Sequence, residues 1–207
     1  MALLVALAGA CLLWLQAGGW DALADRLGSA DAEGPLLVNA DHPLPQDFAE
    51  PELVLLAGKL PVANREVSVA AAIEKPLLKL FKAARKAGLT NLYVASGYRT
   101  AEEQQALWDG SADRSYVQPP GHSEHQTGLA VDLADLKVGA GELGESKAGR
   151  WLARNSWKHG FILRYPAGKE GITGIAYEPW HFRYVGREVA ELCHDNDWTL
   201  EEYVAAL

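Results

Sequence analysis

The chain has 207 residues, of which 49% are hydrophobic and 22% charged, enough for one sizeable domain with a true core and an ordinary solvated surface. A formal net charge of −8 argues against nucleic acid as a partner, because phosphate binding relies on clustered Lys and Arg that release counterions. Two cysteines, Cys11 and Cys193, fall in an apolar leader and near the C-terminus, and this placement excludes a disulfide framework.

The N-terminus reads MALLVALAGACLLWLQAGGW, with no charge from Leu3 to Leu15. That is the length of a signal-peptide core, or of a marginal membrane span if it continues to Trp20. No Lys or Arg precedes the run, and it has no amphipathic period of the kind a buried helix would show. Residues 1–28 are therefore read as a signal or membrane-anchor segment, which predicts an extracytoplasmic protein with a possible membrane tether. Residues 29–50 are rich in Pro, Asp and Gly and read as a linker that wraps onto a domain spanning 51–207.

Within that domain the pattern predicts a helix over 69–87, stopped by Gly88 and kinked or restarted at Pro76. LYVAS, residues 92–96, is a short strand. Thr100 and Glu103 form a capping box for the next helix. A polar loop, GHSEHQTG, precedes a second strand, LAVDL. Ser146 caps a helix that Gly160 ends. GFILRY and WHFRYV are further strands, and REVAELCHDN is a helix in which Cys193 packs as a small hydrophobe. Thr199 and Glu202 make a last capping box. With no repeat period and no Gly-rich nucleotide turn, the order of elements predicts a compact α+β domain.

The chemistry concentrates in two stretches. A catalytic zinc takes three ligands from His, Asp or Glu and leaves its fourth position to water. His125 lies in SEHQTGLAVD, Asp132 follows seven residues later, and His181 lies in YEPWHFRY. Alternation along LAVDL sets Leu129, Val131 and Leu133 on one face and Ala130 with Asp132 on the other. An ionised Asp among apolar neighbours needs a charge partner, which a metal supplies. Glu178 stands three residues before His181, and Pro179 between them predicts a turn that points both side chains into one cleft. A carboxylate beside a metal, but not bound to it, is suited to accept a proton from water. No HExxH helix is present, which excludes the better-known zinc protease arrangement. Spacing alone leaves this ligand set open.

Four ordered motifs carry a family resemblance: SGYRT at 96–100, SEHQTGLAVDL at 123–133, GFILRYP at 160–166 and EPWHFRYVG at 178–186. Together they resemble the VanY-type D-alanyl-D-alanine carboxypeptidases of the zinc-dependent LAS peptidase group, over roughly residues 50–207. The resemblance implies a single domain with a central antiparallel sheet flanked by helices and one zinc ion in a cleft. It implies His125, Asp132 and His181 as ligands and Glu178 as catalytic base. Arg99 is implied to bind substrate and stabilise the oxyanion, and Ser123 to contact the substrate's terminal residue. Gln104 matches a substrate-contacting glutamine of relatives, and Trp180 is expected to line the cleft. The implied substrate is a peptidoglycan stem peptide ending in D-Ala-D-Ala, cut by attack of zinc-bound water, in a protein expected to be monomeric. Pro179 matches carboxypeptidase rather than dipeptidase relatives. L,D-carboxypeptidases and endopeptidases of the same group share the pattern, and a non-catalytic wall-peptide binding module is the reading from a different class.

Other residues have plainer readings. His122 is a rival ligand by proximity but reads as a loop imidazole, and His159 as a partner of helix C-terminal carbonyls. His42 and His194 fall in polar linker and helix-end settings. Asp135 reads as a turn residue. Trp108, Trp151 and Trp157 sit at helical positions and are expected in the core.

Overall fold

In the computed structural model, which describes residues 34–207, the chain first runs as irregular backbone along the domain. Val38 is fully buried there, and the Leu44 N–H donates to the Gly121 carbonyl at 2.7 Å. Two short antiparallel strands follow, β1 (Leu53–Leu55) and β2 (Ser68–Ala70), with Val54 opposite Val69. The sequence pattern had placed Val69 and Ala70 in a helix. Their pairing with β1 wins instead, as β-branched Val69 suits a strand, and helix α1 begins at Ala71 and ends at Lys86.

Helix α1 continues through Pro76 without a break. The carbonyl that Pro76 cannot serve belongs to Ala72, an exposed residue, so it is not buried without a donor. Its buried residues, Ile73, Leu77, Leu80, Phe81 and Ala84, recur at helical spacing and form one apolar stripe.

After α1 come β3 (Leu92–Ser96), α2 (Ala101–Gly110), β4 (Ala130–Asp135), α3 (Lys147–Asn155), β5 (Phe161–Leu163), the single turn α4 (Glu170–Thr173), β6 (His181–Tyr184), α5 (Arg187–Asn196) and α6 (Leu200–Ala205). The capping boxes at Thr100 and Thr199 both form, and the Ser146 hydroxyl caps α3. Strands β3, β4, β6 and β5 lie in that order in one sheet, every pair antiparallel. This is the α+β domain that the order of elements predicts, with the central antiparallel sheet that the family resemblance implies.

Two apolar clusters hold helices to the sheet. The larger joins the stripe of α1 and Leu152 of α3 to Val94, Val131, Leu133, Phe161 and Phe182. The smaller joins Ile162 of β5 to Ala190, Leu192 and Cys193 of α5 and to Leu200 and Tyr203 of α6. Cys193 packs there as the small hydrophobe expected, and burial pushes its thiol up to about 12. Trp157 and Trp151 pack only partly buried against these clusters, and Trp108 is half-buried with Arg114 stacked on its ring. Among the described residues no helix is long and apolar enough to cross a membrane. The leader predicted over 1–28 lies outside the described residues.

Candidate active site

The site begins with strand register. Asp132, near the middle of β4, lies opposite Ser96 of β3 on one side and His181 of β6 on the other. Val131 and Leu133 point into the core, so alternation turns Asp132 to the opposite face. In β6 the core residue is Phe182, which leaves His181 and Arg183 on Asp132's face.

His125 reaches this face from a 3₁₀ turn, Glu124–Thr127, closed by Gly128 at φ 67°. A Cβ on Gly128 would meet the Ala70 nitrogen at 2.9 Å, so close packing and positive φ both require glycine. Gly97, just past β3, supplies the carbonyl that meets His125 Nδ1 at 2.6 Å. It too must be glycine, because a Cβ there would fall 2.1 Å from the Ser68 oxygen. Glu178 to His181 make the turn that Pro179 predicts, the His181 N–H returning to the Glu178 carbonyl at 3.3 Å.

The result is a tight convergence. Ligand-capable atoms of His125, Asp132 and His181 all lie within 4.8 Å of one another. His125 Nε2 is 3.3 Å from Asp132 Oδ2, and His181 Nδ1 is 3.3 Å from Asp132 Oδ1. The far nitrogen of each ring is committed elsewhere, His125 Nδ1 to the Gly97 carbonyl and His181 Nε2 to Glu124. In the neutral tautomers those contacts favour, the inner nitrogens carry lone pairs aimed at a carboxylate. Asp132 Oδ1 is buried without a hydrogen-bond partner. Three acceptors facing one another in a buried pocket need a cation between them, and two imidazoles with one carboxylate are a donor set that suits a divalent transition metal.

Electrostatics agree. Burial opposes charge on Asp132, but His125 and His181 outweigh it and hold the carboxyl far below its usual range. Burial lowers both rings, but at His181 the neighbouring Asp132 and Glu124 carboxylates outweigh it and push the ring up to about 9. A metal ion held by these residues would replace that proton.

Glu178 Oε2 stands 3.6 Å from His181 Nδ1, beside the cluster. Burial, with further help from the Asp132 and Glu124 charges, raises its carboxyl to about 8. Arg99 faces the same cleft, a space of about 170 Å³ that Ser123 and Trp180 also line. Its Nη1 donates to Gln104 Oε1 at 2.7 Å and its Nη2 to Ser96 Oγ at 3.2 Å. Ser123 is buried, and its hydroxyl makes no capping bond. Gln104 lines the cleft but has both ends of its amide engaged, Oε1 by Arg99 and Nε2 by the Gln118 carbonyl. Trp180 lies 6.1 Å from the Tyr116 ring on the cleft wall.

The remaining histidines stand apart from the cluster. His122 meets the Asn39 carbonyl, His42 the Asn39 side chain, and His194 stacks on Trp157. His159 ends a 3₁₀ segment, where burial and then Arg187 lower its pKa. Asp135 ends β4 and accepts from the Lys137 N–H, as a turn residue does.

Sequence reasoning missed a buried charged layer behind His181. Glu124 bonds His181, Arg164 and Arg183 at once, and both arginines are fully buried. Burial works against the Glu124 charge, yet Arg164 and then Arg183 hold it well below the usual carboxylate range. Alternation in HFRY was the available signal, since it sets Arg183 on the face of His181.

Comparison with known proteins matches this geometry to a family. The VanY family model, described as D-alanyl-D-alanine carboxypeptidase, matches residues 66–187. The bifunctional D-Ala-D-Ala dipeptidase and carboxypeptidase VanXYC of Enterococcus gallinarum is 38% identical over 180 residues, covering 81% of this chain and 91% of that protein. The D-alanyl-D-alanine carboxypeptidase of Enterococcus faecium is 33% identical over 175 residues, covering 82% of this chain, which spans only 56% of that protein's length. The LD-carboxypeptidase LdcB is similar in structure, with TM-score 0.74, 37% identity and coverage of 82% of this chain and 84% of that one. A variant of the vancomycin-resistance D,D-pentapeptidase VanY, in complex with Zn(II), gives TM-score 0.70 and 38% identity over 81% of this chain and 97% of that one. The motifs, the antiparallel sheet and the converging His–Asp–His face thus have one common explanation: the chain belongs to the VanY D-alanyl-D-alanine carboxypeptidase family.

Proposed function

We propose that the protein is a zinc-dependent D-alanyl-D-alanine carboxypeptidase that removes the C-terminal D-Ala from peptidoglycan stem peptides. The observation that carries this reading is the convergence of His125, Asp132 and His181 within 4.8 Å, with Asp132 Oδ1 lacking a hydrogen-bond partner. These three side chains would hold one zinc ion, the metal found with the VanY D,D-pentapeptidase relative. When bound, the ion supplies Lewis acidity, which polarises a peptide carbonyl and acidifies water.

Glu178 is the general base and then the general acid. Its carboxylate stands beside the ligand cluster, 3.6 Å from His181 Nδ1, without belonging to it, the placement for a group that takes a proton from attacking water and returns it to the leaving amine. Arg99 provides the positive charge of the cleft. It faces the developing oxyanion or the free carboxylate of the substrate, and a guanidinium held by Gln104 and Ser96 is already oriented for either task. The Ser123 hydroxyl and Trp180, which both line the cleft, contact the terminal residue. The location that fits this substrate is outside the cytoplasmic membrane, with residues 1–28 as the export or anchor segment and 29–50 joining it to the 51–207 domain.

A second reading is favoured by the TM-score of 0.74 to an LD-carboxypeptidase. In that case the same machinery trims a tetrapeptide stem. Incubation with pentapeptide and tetrapeptide stems, with and without a chelator, tests both. Loss of D-Ala from the pentapeptide, abolished by chelation and restored by zinc, is the expected result. Cleavage of the tetrapeptide alone selects the second reading, and chelator-resistant turnover defeats both.

A further inference from the structure

His181 meets two carboxylates at once. Its Nδ1 faces Asp132, and its Nε2 lies 3.1 Å from Oε2 of Glu124. The other oxygen of Glu124, Oε1, receives Arg164 Nε at 2.7 Å and Arg183 Nη1 at 3.0 Å. Arg164 continues to both oxygens of Glu201, at 2.8 and 2.6 Å, and Arg183 Nη2 donates to the Leu36 carbonyl at 2.8 Å. Asn39 closes the far end by donating to Glu201 at 3.0 Å. Two acids and two arginines balance in charge, and Glu124 is 1% exposed.

Stability alone is a poor reason for such a cluster. Desolvating buried ion pairs cancels most of their attraction, and apolar side chains of equal volume hold elements together as well or better. What the cluster does supply is direction. Oε1 of Glu124 is held by Arg183 of β6 and by Arg164 just past β5, so the carboxylate cannot turn Oε2 away from His181.

We propose that Glu124 is the positioning residue for His181. It accepts the Nε2–H, which fixes the tautomer whose Nδ1 lone pair points at Asp132, and Arg164 with Arg183 fix Glu124 in turn. This inference rests on the zinc reading above. Glu124 acts through His181 rather than on the reacting atoms, and its removal loosens the metal before it touches chemistry.

Two measurements test it. The first compares wild type and Glu124→Gln, each with and without zinc, by chelator competition and thermal unfolding. Glutamine keeps the size, but with its oxygen on the two guanidinium donors it sets an amide donor against the His181 Nε2–H. Zinc affinity is expected to fall about 10- to 100-fold, and the rise in unfolding midpoint on adding zinc to shrink. Equal drops with and without zinc, at unchanged affinity, would mean that Glu124 serves only the core and would overturn the inference. The second measurement uses wild type alone and so does not depend on the variant folding. Long-range ¹H–¹⁵N spectra of the zinc-loaded protein are expected to show His181 with its proton on Nε2 and the metal on Nδ1. The opposite assignment overturns the inference while leaving the zinc reading intact. Absence of zinc binding by wild type overturns both.

Discussion

Gln104 Oε1 accepts a 2.7 Å hydrogen bond from Arg99 Nη1, while the Gln104 Nε2 donates to the Gln118 carbonyl at 2.5 Å. The side chain is 1% exposed. Both ends being engaged, its effect on substrate runs through the guanidinium it holds and through the loop it ties to helix α2. Replacement Gln104→Ala is expected to raise KM and to lower kcat/KM by about 10- to 100-fold, the cost of a misplaced binding group. Gln104→Glu adds a carboxylate that competes with substrate for Arg99, so its KM should rise further. Steady-state kinetics on a pentapeptide stem decide it, and KM values unchanged in both variants would free Arg99 from this dependence.

Glu178→Gln keeps the shape of the turn at Pro179 but removes the proton acceptor. Zinc content should match wild type, whereas kcat should fall by roughly 10²- to 10⁴-fold. Metal analysis and turnover on the same preparation separate the two effects. Full activity in this variant would take Glu178 out of the mechanism.

Gly97→Ala would place a Cβ 2.1 Å from the Ser68 oxygen. Since that contact is with backbone, β2 or the carbonyl of residue 97 has to shift, and the carbonyl is the partner of His125 Nδ1. A loss of about 1–3 kcal/mol, the usual cost of overpacking, should appear in urea unfolding together with weaker zinc retention. A variant with wild-type stability and metal affinity would show that this close approach has no function.

Glu201 gives a pH test away from the cleft. Burial opposes its charge, but the hydrogen bond and charge of Arg164, with Asn39, hold its carboxyl below its ordinary value of 4.5. A depressed acid contributes stability above the unfolded pKa and loses it as pH falls through the folded one. At pH 7, Glu201→Gln should therefore be less stable than wild type by about 1.5–3 kcal/mol, the range for hydrogen bonds to charged groups. Below pH 4.5 the difference should start to shrink, and it should continue to shrink as pH falls toward the lower folded value. Urea midpoints at pH 7 and pH 3 check this, and a constant difference would place the Glu201 contribution outside its ionisation.

Much of this architecture was legible from local signals. Capping boxes at Thr100 and Thr199 are short-range chemistry and mark helix starts that the structure reproduces, whereas α3 already ends at Asn155 and Gly160 closes the 3₁₀ segment Ser156–His159 that follows it. Pro179 and the alternation of LAVDL likewise foretold the turn and the turning of Asp132 away from the apolar core. Strand β2 was not legible, because Val69 and Ala70 read equally well as the start of an amphipathic helix, and only the distant partner Val54 decides between them. The arginine cluster stayed hidden for a similar reason. Glu124, Arg164, Arg183 and Glu201 are ordinary surface residues by composition, and their burial depends on contacts spanning 37 to 59 positions of chain.

Asp132 and His181 are partners across β4 and β6, so their meeting depends on pairing two strands that are far apart in the chain. A slip of one residue would send Asp132 to the apolar side and present Val131 or Leu133 instead. Metal uptake is thus a proofreading step: under the zinc reading, only a chain zipped in the right register offers a complete ligand set. The zinc-to-protein ratio of a preparation would then count its correctly assembled molecules, even before any substrate is added.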